Sequence, residues 1–66
     1  MTTNELTKIG TALYGRTWQS QLADDLGVNS SQIRMWLSGK RSIRTTLSDD
    51  LAPIIQRRKA EIDAIL

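Results

Sequence analysis

Residues 19–39 read QSQLADDLGVNSSQIRMWLSG, and their spacing predicts two short helices joined by a tight turn. Leu22, Ala23 and Leu26 form an apolar stripe at helical spacing, Gly27 interrupts it, and a second stripe runs through Ile33, Trp36 and Leu37. Gly27 suits the position just past a helix end, where a left-handed backbone costs little in the absence of a Cβ. Asn29 is a strong N-cap, and Gln32 stands where it would complete a capping box. Gly39 is expected to end the second helix as Gly27 ends the first. So short a turn makes the two helices cross steeply, which is the geometry of a helix-turn-helix. Ala23 falls where they approach most closely, and a larger side chain there would push them apart.

Outward from this stretch, the N-terminal segment predicts a helix capped by Thr2 or Thr3. Thr2 and Glu5 have capping-box spacing. Leu6, Ile9, Leu13 and Tyr14 supply its buried stripe. Gly10 costs such a helix ~1 kcal/mol relative to Ala, so it is expected to mark a close approach to another helix. Gly15 ends the helix, and the short connection through Thr17 forces a sharp turn before Gln19. Asp24 and Asp25 are adjacent on a helix and point about 100° apart, so they do not converge as a catalytic pair; a solvated outer face is the expectation.

Towards the C-terminus, Ile43 is expected to anchor the loop that follows Gly39. Thr45 or Thr46 caps a fourth helix with Leu47 and Leu51 inside, and Asp49 and Asp50 fall in its first turn, where acids complement the helix dipole. Pro53 is expected to break or kink it, since an interior proline removes a backbone bond and clashes with the preceding turn at ~3 kcal/mol or more. The stripe resumes in a C-terminal helix over 54–66. Ile54 and Ile55 would complete the core, while Ile62, Ile65 and Leu66 lie beyond what a small core needs. With Ile55 they are expected to form a two-fold dimer interface.

Composition sets further bounds. A chain of 66 residues is one domain, near the lower size limit for an independent core. It has no cysteine and no histidine, which removes disulfides, thiolate metal sites and the commonest general base. With no convergent carboxylates and no Gly-rich phosphate loop, no nucleophile and base can be paired, so an enzyme is not expected, nor any cofactor, metal or small-molecule ligand. Glu5, Lys8 and Gly10 interrupt the N-terminal apolar residues, which argues against a signal peptide, and no apolar run is long enough for a membrane span. A cytoplasmic protein is expected. The net charge is only +2, but its distribution is uneven. Between Val28 and Ser48 the charged residues are Arg34, Lys40, Arg41 and Arg44, with no acid among them. A polyanion-binding face would look like this.

The spacing Gln19, Leu22-Ala23, Gly27-Val28, Ile33, Trp36, Gly39 resembles the helix-turn-helix of the phage repressor and Cro (XRE-like) family nearly position for position. Trp18 departs from the pattern, because that family usually carries a small polar cap there; Thr17 would have to cap instead. The overall look is most similar to small phage-encoded regulators, including those that accompany anti-CRISPR genes. The resemblance implies an all-α, compact four- to five-helix lambda-repressor-like domain over residues 1–66. It implies a transcriptional regulator that binds double-stranded DNA, with a phosphate contact at Gln19.

In such a motif the second helix lies in the major groove and its N-terminal residues reach base edges. The candidate base contacts are therefore Asn29, Ser30, Ser31, Gln32, Arg34 and Met35. Arg34 could fork onto guanine O6 and N7, and Met35 could touch a thymine methyl. Gln19, Ser38, Lys40, Arg41 and Arg44 are the candidate phosphate contacts, supplying affinity and orientation. A homodimer would match a palindromic operator with half-sites ~34 Å apart, and the simplest role is an autorepressor. Two other classes fit the sequence: an antitoxin-like protein-interaction module, and an architectural or excision factor.

Overall fold

The computed structural model describes all 66 residues and contains helices and no strand. Four α-helices follow one another: α1 Thr3–Tyr14, α2 Trp18–Leu26, α3 Ser30–Ser38 and α4 Leu47–Ile65, with a single 3-10 turn, Gly15–Thr17, between α1 and α2. The chain folds to a radius of gyration of 12.0 Å. No helix is long and apolar enough to cross a membrane.

Local signals set most of the boundaries. At the start of α1 the Glu5 N–H donates to Thr2 Oγ1 at 3.1 Å, and the Thr2 N–H donates back to Glu5 Oε1 at 2.9 Å, closing the capping box. The Thr2 N–H bond to the carboxylate, helped by the Thr2 hydroxyl beside it, holds the Glu5 carboxyl below its ordinary pKa. Gly27 closes α2 with φ +73°, its N–H donating to the Asp24 carbonyl while the Val28 N–H reaches back to Ala23. That reciprocal pair satisfies two carbonyls at the helix end and turns the chain within three residues into α3. There the Ser31 N–H donates to Asn29 Oδ1 at 3.0 Å. Gln32 makes no such bond with its side chain, so the expected box at α3 is a single cap. Thr17 and Thr46 likewise precede their helices without capping them through the side chain. Thr17 Oγ1 accepts instead from Gln21 Nε2, and Thr46 Oγ1 donates to Asp50.

The core draws on every helix. Leu6 of α1, Leu22 and Ala23 of α2, Ile33 and Trp36 of α3, and Leu47, Leu51 and Ile54 of α4 are all buried, with Trp18 among them. Ile9, Leu13, Tyr14, Leu26, Val28, Leu37 and Ile43 pack around them at partial burial. Gly10 is where α1 meets α2: a Cβ there would run into the Trp18 indole. The close approach expected of Gly10 is therefore real, and Trp18 is its partner.

Two expectations about the C-terminus are corrected. Pro53 does not break the helix; α4 continues through it for 19 residues, so 54–66 is the distal part of one long helix. Pro53 itself is exposed, while Leu51 and Ile54 on either side are buried. Packing of these flanking residues holds the turn in helical register despite the missing donor. Ile55, expected to help fill the core, is 40% exposed instead. It lies one residue, a turn of about 100°, round the helix from Ile54. Beyond Ile54 no residue is fully buried, and Ile62, Ile65 and Leu66 are 54, 83 and 97% exposed.

A polar cluster ties α4 to the rest. Tyr14 donates its hydroxyl to Asp25 Oδ2 at 2.5 Å, Arg57 approaches the same oxygen at 3.1 Å, and the Arg58 guanidinium lies over the Tyr14 ring, 4.9 Å from its centre. Asp25 is thus a junction of α1, α2 and α4 rather than a merely solvated residue. Burial of the phenol, and then its bond to Asp25, push the Tyr14 pKa up to about 12.

Candidate nucleic-acid interface

With Ile33 and Trp36 committed to the core, the helical period turns Ser30, Ser31, Arg34, Met35 and Ser38 outwards from α3. Ser31, Arg34, Met35, Ser38 and Lys40 line an open cleft of about 380 Å³ on that face. Immediately beside it, Arg16, Thr17, Gln19, Ser20, Ser30 and Arg34 line a second cleft of about 280 Å³. Arg34 belongs to both, so it forms the ridge between them. No carboxylate lines either cleft. Arg34 Nη1 makes one long contact to Ser30 Oγ, 3.5 Å, and no ion pair, which leaves most of its donors free.

Other candidates have part of their capacity committed. Asn29 Oδ1 is held by its cap, leaving the amide NH2 as its outward donor. Ser38 donates its hydroxyl to the Met35 carbonyl at 3.2 Å, so it faces outwards as an acceptor. Met35 is 37% exposed, and its thioether gives the first cleft its apolar wall. Gln32 is half-buried and lines neither cleft. Gln19 lines the second cleft with no side-chain hydrogen bond.

The basic residues after α3 do not act as one group. Lys40 joins the first cleft. Arg41 instead lines a separate concavity with Met1, Thr2 and Thr3, on the α1 side of the molecule. Arg44 faces inwards: its guanidinium lies 5.8 Å from the Trp36 ring centre, and Nε is 3.0 Å from Asp50 Oδ2. That approach is ionic rather than a well-aligned hydrogen bond, since Arg44 Nε has no acceptor along its N–H. Arg44 is thereby built into the fold, bracing the loop after α3 against α4.

Arg16 was not among the residues singled out in the sequence. It sits in the 3-10 turn, exposed and without an ion pair or hydrogen bond, and the second cleft brings it alongside Gln19 and Arg34. The signal available was its place: a lone cation between a helix-stopping glycine, φ +80°, and the next helix.

Comparison of the chain with family models, with curated proteins and with solved structures finds no match.

Proposed function

We propose that this protein is a sequence-specific DNA-binding regulator whose α2–turn–α3 unit works as a helix-turn-helix of the phage repressor and Cro-like kind. The observation that carries the proposal is the outer face of α3: Arg34 stands free between two contiguous clefts lined by hydroxyls, Gln19, Lys40 and Arg16, with no carboxylate in either. A surface of that chemistry suits a polyanion, and a helix presenting an arginine fork beside a methionine suits the edges of bases in a major groove. Arg34 would read guanine, Met35 would meet a thymine methyl, and Gln19, Ser38 and Lys40 would hold backbone phosphates.

The protein acts as a homodimer on a two-fold operator, and occupancy blocks transcription, most simply of its own gene. The exposed distal stripe of α4, Ile55, Ile62, Ile65 and Leu66, supports the dimer. The same stripe also favours a second reading, in which α4 docks a different protein, as an antitoxin would. Selection from a pool of random duplexes tests the proposal. Recovery of a symmetric site with half-sites about one helical turn apart is expected. A pool that stays unenriched would argue for a partner protein or for an architectural role.

A further inference from the structure

We infer that Arg16 is a DNA-backbone residue, and that the cleft it shares with Gln19, Ser20, Ser30 and Arg34 seats one phosphodiester of the duplex. This deepens the DNA-binding reading above and rests on it.

The cleft has no apolar lining residue, which sets it apart from the neighbouring cleft that contains Met35. Its cations are two arginines from different elements, the 3-10 turn and α3, and neither is neutralised by a carboxylate within the chain. Its hydroxyls are partly committed, so outward donation falls mainly to the arginines and the Gln19 amide: Ser20 Oγ donates to the Thr17 carbonyl at 3.3 Å, and Thr17 Oγ1 accepts from Gln21. What remains facing the opening is the Arg16 guanidinium, the Gln19 amide and the free N–H groups of Arg34. A phosphate offers two unesterified oxygens that match an arginine fork, and the Gln19 amide adds a neutral donor beside it. The opening is shallow, as a site for a phosphate still joined to its chain must be.

The placement is built into the fold. Gly15 adopts a left-handed φ at the end of α1 and the 3-10 turn follows at once, so the backbone reverses within Gly15–Thr17. Trp18, the next residue, turns inwards against Gly10, and Arg16 is left on the outside. Arg16 thus extends the contact surface from α3 across the start of α2. It supplies charge to a cleft that Lys40, at the other end of α3, does not line.

The test is a salt titration of binding to a scrambled duplex of about 20 bp, long enough to cover a helix-turn-helix footprint. Fluorescence anisotropy would compare the wild type with Arg16→Ala, Arg16→Lys and, as a charge control on distal α4, Lys59→Ala. Removing one phosphate contact per protomer is expected to lower the slope of log K against log salt by ~0.9 for each protomer bound, or ~1.8 for a dimer, in Arg16→Ala. Arg16→Lys should keep most of the slope and Lys59→Ala all of it. On a selected site, where the register is fixed, a scan of single methylphosphonate substitutions should then find one position per half-site that weakens the wild type and leaves Arg16→Ala indifferent. If the wild type binds with a clear salt slope and Arg16→Ala keeps that slope, the Arg16 assignment is overturned while the DNA-binding reading stands. A wild type with no salt-dependent binding to any duplex overturns both.

Discussion

Replacing Gly10 with alanine tests the packing that sets α1 against α2. In an ordinary helix this change is favourable by ~1 kcal/mol, because glycine gives up more backbone freedom on folding. Here the added Cβ would come within 3.0 Å of three atoms of the Trp18 six-membered ring. The indole has little room to move, since Trp18 is only 5% exposed and packs in the same cluster as Leu6 and Leu22, both fully buried. Forcing extra carbon into a filled core costs about 1–3 kcal/mol, and a clash with a rigid aromatic edge belongs at or above the top of that range. Set against the propensity gain, the net loss should be on the order of 2 kcal/mol. For a domain of this size that corresponds to a Tm lower by roughly 10 °C. Thermal unfolding followed by circular dichroism would measure it. Trimming the indole should relieve the clash, so Gly10→Ala should cost less in a Trp18→Leu background than in the wild type, a coupling readable from the double-mutant cycle. A Gly10→Ala variant as stable as the wild type, or more so, would refute the reasoning.

Further outcomes are expected. Arg34→Ala should remove ~1–3 kcal/mol of discrimination between a selected site and a scrambled one, whereas Lys40→Ala should weaken both by a similar factor; competition binding separates the two. Tyr14 is the one tyrosine, so absorbance titration reports it alone, and it should ionise near pH 12. Its folded pKa lies above the ordinary 10.0, so the stability it contributes is whole below pH 10 and is lost as pH rises towards 12. Tyr14→Phe should remove that part of the pH dependence in denaturant titrations. Replacing both Ile62 and Ile65 with lysine should leave helix content intact, because both side chains are already exposed, while the proposed dimer should fall to monomer mass by light scattering.

The features legible in the sequence were those settled within a few residues of chain. Thr2 with Glu5, Asn29, and the glycines at 27 and 39 each act on the adjacent turn, so their residue types announced the helix ends. The apolar stripes of α1, α2 and α3 also read directly, because a buried face must repeat at the helical period. The break expected at Pro53 does not occur, for the complementary reason. Its local penalty is real, but burial of Leu51 and Ile54 decides the outcome, and that depends on residues far away in sequence. The candidate interface divides along the same line. Ser31, Arg34, Met35 and Ser38 share a face by periodicity alone, so their grouping was visible. Arg44 and Asp25 find partners only once α4 is in place, and Arg16 meets Gln19 only because the 3-10 turn folds it back.

The central claim, that this protein selects a DNA sequence as a dimer, is most directly tested by binding to the DNA upstream of its own gene. That duplex would compete with a scrambled one at several salt concentrations, with the mass of the complex taken from light scattering. Two copies per site, strong salt dependence and a clear preference for the upstream duplex are expected. Weak binding that ignores sequence, or selective binding by a single copy, would contradict the claim.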